Sequence, residues 1–212
     1  MIGRVATMAG MAEPMDDSSE VTVRDAAARG DAHAQYRLAL EHDNATGPAR
    51  DAAAAAHWYS AAARQGHADA QLHLGLLYDT GDGVAQDAAR AAHWYRASAG
   101  QGNADAQVNL GLMYLNGSGV PKNEGAALQC FRMAAMQSHP KGQFNLGALL
   151  YNGVADEPDL AEVYRWWTLA ALQGHPLAQQ NLSLVAAQLD HDQLARAQAG
   201  VAEFLQRQGQ RE

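Results

Sequence analysis

Slid by 36 positions, the chain falls into register with itself. Gly30, Gly66 and Gly102 stand 36 residues apart, and Ser138 and Gly174 continue the series. Three further columns keep the same spacing: Gly75, Gly111 and Gly147; Trp58, Trp94, Cys130 and Trp166; and Tyr59, Tyr95, Phe131 and Trp167. A period between about 20 and 50 residues is the mark of a solenoid, in which each unit buries its apolar face against the next.

Each unit reads as two helices joined by a glycine-marked turn. In the second unit, Ala70, Leu74 and Tyr78 recur at i, i+4 and i+8 and predict a first helix over 68–80. Ala91, Trp94, Tyr95, Ser98 and Ala99 form the stripe of a second helix, repeated as Ala55, Trp58, Tyr59, Ala62 and Ala63. Between the helices, Gly81-Asp-Gly-Val84 and Gly117-Ser-Gly-Val120 supply the turn. Glycine inside a helix costs about 1 kcal/mol relative to alanine, so Gly75, Gly111 and Gly147 require close approach of a neighbouring helix.

The predicted fold class is therefore all-α, an α/α solenoid of four 36-residue helix-turn-helix repeats with helical caps. The repeats are placed at 30–173. A flexible N-terminal tail is expected at 1–18, a capping helix at 19–29, and a half-repeat with a C-terminal capping helix at 174–212. Leu194, Ala197, Val201, Phe204 and Leu205 give the last helix one apolar side, expected to close the array over the fifth first helix. Unit four has Ala155 where the second loop glycine belongs, which makes its turn the least regular.

Composition narrows the function. A net charge of -8, with Lys122 and Lys141 the only lysines, argues against a surface that tracks phosphates, so no nucleic acid is expected as a partner. No run approaches the roughly 18 apolar residues of a membrane helix, and the first twenty residues lack the apolar centre of a signal peptide. The single cysteine, Cys130, agrees with a reducing compartment, and a cytoplasmic location is expected.

The columns Ala-x-x-x-Leu-Gly-x-x-Tyr, Gly-x-Gly-Val and Ala-x-x-Trp-Tyr-x-x-Ala-Ala-x-x-Gly resemble the Sel-one-like repeat family, a relative of the tetratricopeptide repeat. The resemblance covers residues 30–188 and implies an adaptor that binds other proteins, with inhibitor or immunity proteins as one bacterial variant. One secreted, cysteine-rich branch of the family is linked to penicillin binding and weak β-lactamase activity. This chain lacks the cysteine pairs of that branch and any Ser-x-x-Lys, so hydrolysis of cell-wall-like substrates ranks behind binding. Self-association is a third possibility.

No catalytic constellation emerges. His67, His139 and His175 occupy equivalent turns one or more units apart, His57 and His93 are likewise a unit apart, and His67 and His73 do not share a helix face. The histidines read as structural. Cys130 takes a tryptophan position and reads as a buried thiol. The chain is expected to be no enzyme and to need neither cofactor nor metal.

The candidate binding residues lie on the first helices. Tyr36, Leu72, Val108, Phe144 and Gln180 form one column, and Leu40, Leu76, Leu112, Ala148 and Leu184 a second. Beside them runs a polar column of Arg37, His73, Asn109, Asn145 and Asn181. In the tetratricopeptide relatives this side lines a concave groove. An apolar strip beside asparagine amides, which both donate and accept, suits an extended or helical segment of a protein partner. The pattern equally fits lateral packing of Leu72, Val108 and Phe144 between successive first helices, with the asparagines bonded to neighbouring helices.

Overall fold

The computed structural model describes residues 18–153 and 158–210, and among these every regular element is helical. The first helices of the units are α2 (Ala32–Asn44), α4 (Ala68–Thr80), α6 (Ala104–Asn116), α8 (Pro140–Tyr151) and α10 (Pro176–Ala186). The second helices are α3 (Ala52–Arg64), α5 (Ala88–Gly100), α7 (Glu124–Met136) and α9 (Leu160–Leu172). Ahead of them lies α1 (Ser18–Ala28), and after them α11 (His191–Gly209). The expected flexible tail, up to residue 17, and the irregular turn at Ala155 fall outside the described residues.

Helix boundaries follow from capping chemistry that repeats with the period. First helices start at Asp31, His67, Asn103, His139 and His175, each accepting a hydrogen bond from a backbone N–H three residues on. The histidines of this column therefore act through Nδ1 as caps, alongside aspartate and asparagine in the other units. Second helices start at Asp51, Asp87, Asn123 and Asp159. α4 and α6 end on Gly81 (φ 75°) and Gly117 (φ 69°), where the left-handed backbone lets the next amides return to Leu77 and Met113.

Each first helix packs on its own second helix and on the second helix of the preceding unit. The aromatic column supplies the largest fully buried side chains, Tyr59, Tyr95 and Phe131. A Cβ placed on Gly75, Gly111 or Gly147 would come within 2.7 Å of the ring of Tyr95, 2.6 Å of Phe131 or 2.7 Å of Trp167. That close approach is the reason for the helical glycines.

A second column, of glutamines, holds the units in register. Gln35, Gln71, Gln107 and Gln143 are buried. Their amides donate to Ala27 O, Ala63 O, Ala99 O and Ala135 O, at the ends of the preceding second helices. Their oxygens accept from Gln65, Gln101, Gln137 and Gln173 at 2.7–2.9 Å. Each rung adds a side-chain bond to a helix-terminal carbonyl that also accepts from the backbone of the following turn, and ties three helices together.

The C-terminal helix departs from expectation. α11 lies along α9, with little contact to α10. Phe204 meets Trp166 edge-on at 5.6 Å between ring centroids, and Gln208 Nε2 donates to Met136 O at 3.1 Å. In α10 the helical glycine is replaced by Ser183, and no aromatic ring of α11 seats there. α11 thus caps the outer face of the fourth unit, and Leu205, expected on its apolar side, is 49% exposed.

Candidate protein-binding groove

α6 and α8 touch one another directly as well as through the second helices. The predicted columns divide between buried and exposed positions on the first helices. Leu72 (8% exposed) and Val108 (3%) are buried. Leu72 packs in the cluster of Tyr95, Ala106 and Leu110, and Val108 in that of Phe131 and Leu146. These two positions are lateral core, because they point along the array into the next unit. Four residues further on, Leu76 (36%) and Leu112 (39%) reach the surface, with Leu40 and Ala148 half-buried in the same column.

Aromatic rings fill the end positions. Tyr36 is half-buried and stacks on His67 at 4.4 Å between centroids, with His73 at 5.9 Å. His73 lies parallel to Tyr59 at 4.9 Å and 6°. Phe144 stacks on His175 at 4.3 Å, and its carbonyl accepts from Trp167 Nε1 at 3.1 Å. These stacks restrict Tyr36 and Phe144 to one edge each.

The polar column behaves differently from the buried glutamines. Arg37 is exposed, and Asn109, Asn145 and Asn181 are half-buried. Whereas the glutamine amides are bonded rung by rung, the three asparagine side chains take no protein partner among the described residues. The alternative in which these asparagines tie neighbouring helices together therefore does not hold, since Gln71, Gln107 and Gln143 perform that work.

Electrostatically two of the first helices are acidic. α4 and α6 carry Asp69, Asp79 and Asp105 with no lysine or arginine. Burial holds the His73 imidazolium below its ordinary pKa, opposed by Asp43, Asp69 and Asp105, carboxylates from three successive first helices. The Cys130 thiol, 4% exposed, is pushed up to about 11 by burial, which keeps it protonated. Among the described residues no group of three or more His, Cys, Asp or Glu side chains is placed to hold a metal ion. No described helix is long and apolar enough to cross a membrane.

The Sel1 repeat matches four times in tandem, at residues 32–67, 68–103, 104–139 and 140–175. The chain belongs to the Sel1 repeat family. Sel1 repeats generally serve as protein-interaction scaffolds. A Sel1 repeat protein from Oxalobacter formigenes has a similar crystal structure, with TM-score 0.75 and 28% identity over 90% of this chain and 79% of that one. A protective antigen of uropathogenic Escherichia coli strains, displaying an SLR fold, is similar with TM-score 0.58 and 28% identity over 89% of this chain. This chain spans 48% of the length of that antigen. No curated protein matches the chain.

Two features of these Sel1 repeats are absent from the sequence reading. The buried glutamine ladder was detectable as a polar column with the 36-residue period. The other is a pocket of about 220 Å³ between α4 and α6, lined by Asp79, Asn109, Leu112, Met113, Asn116 and Ser118. Its signal is the charge at Asp79, which only a comparison between units sets in context.

Proposed function

We propose that the chain is a non-enzymatic scaffold whose inner groove binds a segment of a partner protein. The observation that carries this reading is the asparagine column. Asn109, Asn145 and Asn181 present amides without protein partners, beside Leu76 and Leu112 at the surface. Such amides match the donors and acceptors of a polypeptide backbone, and the leucines offer apolar contact at one-unit intervals. An inhibitor or immunity protein is one form this binding takes. A cytoplasmic setting belongs to the same proposal and rests on the lone buried thiol.

The test separates surface from core. Affinity capture from the native organism, read by mass spectrometry, identifies the partner. Leu112→Asp and Asn145→Ala should then weaken its capture while leaving the melting temperature near that of the parent. Leu72→Asp serves as the contrast, because a carboxylate in the lateral core destabilises the fold itself. Undiminished capture by stable Leu112→Asp and Asn145→Ala proteins would remove the groove as the binding site.

A further inference from the structure

The four units are internal controls for one another, and the second junction differs from the first in that an arginine and one of its two aspartate partners are replaced by neutral residues. At the first junction, Arg50 lies between two carboxylates. Its Nη2 is 2.7 Å from Asp43 Oδ1 and 2.6 Å from Asp82 Oδ2, and its Nη1 donates to Asp82 Oδ1 at 3.2 Å. Arg50 Nε also donates to the main-chain carbonyl of Asp43 at 3.0 Å, and Tyr59 Oη donates to Asp43 Oδ2 at 3.2 Å.

One unit later, 36 residues on, the equivalents of Asp43, Arg50, Tyr59 and Asp82 are Asp79, Gln86, Tyr95 and Ser118. Tyr95 Oη still reaches Asp79 Oδ2 at 3.5 Å, and Gln86 Nε2 still donates to Asp79 O at 2.7 Å. The neutral amide of Gln86 supplies no charge, and Asp79 has no ion-pair partner among the described residues. The pocket of about 220 Å³ opens here, bounded by Asp79 and Ser118, the counterparts of the two carboxylates that hold Arg50.

We propose that this pocket takes the guanidinium of an arginine side chain from a partner segment lying in the groove, an assignment that rests on the groove reading above. Asp79 supplies the carboxylate for a charge-assisted pair, as Asp43 does for Arg50. Asn109, Asn116 and Ser118 offer oxygens to the remaining N–H donors of the fork, and Leu112 flanks the aliphatic stem. A lysine ammonium, a compact point charge, matches this spread of acceptors less well.

The test uses the full chain, isotopically labelled, with N-acetyl-arginine amide as the probe and the side-chain amide resonances of Asn109 and Asn116 as the readout. Saturable shifts are expected with this probe, weaker ones with N-acetyl-lysine amide, and none with N-acetyl-citrulline amide, its neutral isostere. Asp79→Asn should weaken the response about tenfold or more. Gln86→Arg, which restores the internal guanidinium and leaves Asp79 in place, should raise the melting temperature and abolish the response. An absent or unsaturable response, an equal response to citrulline or lysine, or unchanged binding by Asp79→Asn overturns the proposal. Partner capture that persists in both Asp79→Asn and Gln86→Arg but is lost in Leu112→Asp overturns the arginine pocket alone and leaves the groove standing.

Discussion

Gly111 in α6 faces Phe131 in α7 at a distance that leaves no room for a methyl group: a Cβ on Gly111 would stand 2.6 Å from Phe131 Cε1. The same pairing joins Gly75 to Tyr95 and Gly147 to Trp167, so a glycine meets a different ring in each of these three units. The contact sets how close a first helix lies to its own second helix, and therefore where the groove residues on the opposite side of that first helix are carried.

Replacing Gly111 with alanine sets a gain in helix propensity of about 1 kcal/mol against a clash with a fully buried ring. The clash should prevail, with a net loss of about 1–3 kcal/mol in chemical denaturation. Phe131→Leu alone should also destabilise, by leaving unfilled volume. The two together should lose less than the sum of the single losses. Additive losses would show that the glycine is not there for the ring.

Much of this architecture is legible in the sequence because the period of 36 aligns like with like. The helical glycines, the aromatic column and the span of α4 all follow from it. The direction of α11 does not, since amphipathicity gives a helix one apolar side without stating which neighbour it covers. Exposure along the first helices is illegible for a similar reason. Leu72 and Leu76 differ by about 40° around the helix, a rotation that separates lateral core from surface. The arginine-shaped pocket is legible only once Arg50 is seen between Asp43 and Asp82.

The glutamine rungs predict a second stability effect. Gln107→Leu removes the amide that bonds Ala99 O at 3.3 Å and the oxygen that accepts from Gln137 at 2.9 Å. Ala99 O keeps its bond from Gly102 N at 3.0 Å, so the loss is that of two side-chain hydrogen bonds, at a cost of about 1–3 kcal/mol. Hydrogen exchange should quicken at the end of α5 and the start of α7's following turn before it quickens elsewhere. Uniformly faster exchange, or an unchanged midpoint in urea, would count against a register-holding role.

Ser138 is the non-glycine residue that adopts a positive φ among those described, 63°, at the position where the other units carry Gly30, Gly66, Gly102 and Gly174. A left-handed conformation costs an L-residue roughly 1–2 kcal/mol. Glycine at 138 removes that strain and adds flexibility to the unfolded chain, so Ser138→Gly should stabilise by about 0.5–1 kcal/mol. A lower melting temperature in the variant would mean that Ser138 makes a compensating contact.

Acidification should weaken the fold through two histidines. Burial lowers the pKa of His73 and of His175, and Lys141 adds to the effect at His175. In the unfolded chain both rings protonate near pH 6.5, while the folded rings resist until lower pH. Below about pH 6.5 the unfolded state therefore binds more protons, and stability declines until the folded rings also become charged. Above that pH the contribution is fully present. His175→Asn, which keeps a cap of the Asn103 type, combined with His73→Phe, which keeps the stack on Tyr59, should flatten the slope of melting temperature against pH. An equally steep slope in the double variant would assign the acid response to other groups.

Removal of α11 should expose the fourth unit, because Phe204 and Val201 pack against the cluster that contains Trp166. Trp166 is 3% exposed in the intact protein. Deleting residues 190–212 uncovers its ring together with the neighbouring surface of Met133 and Met136, which are already 46% and 45% exposed. An apolar area enlarged in this way favours association. The truncated protein should melt at lower temperature, associate in light scattering, and show red-shifted tryptophan emission. Trp58, Trp94 and Trp167 also emit, so the decisive comparison is made in a Trp166→Phe background, where the emission change on truncation should vanish. Phe204→Ala should reproduce part of the shift at a cost of about 1–3 kcal/mol, less than for a fully buried ring because Phe204 is only half-buried. Were α11 instead the cover of α10, truncation would leave Trp166 emission unchanged and speed hydrogen exchange in α10 ahead of α9. That outcome would overturn the placement of this helix on the outer face of the fourth unit.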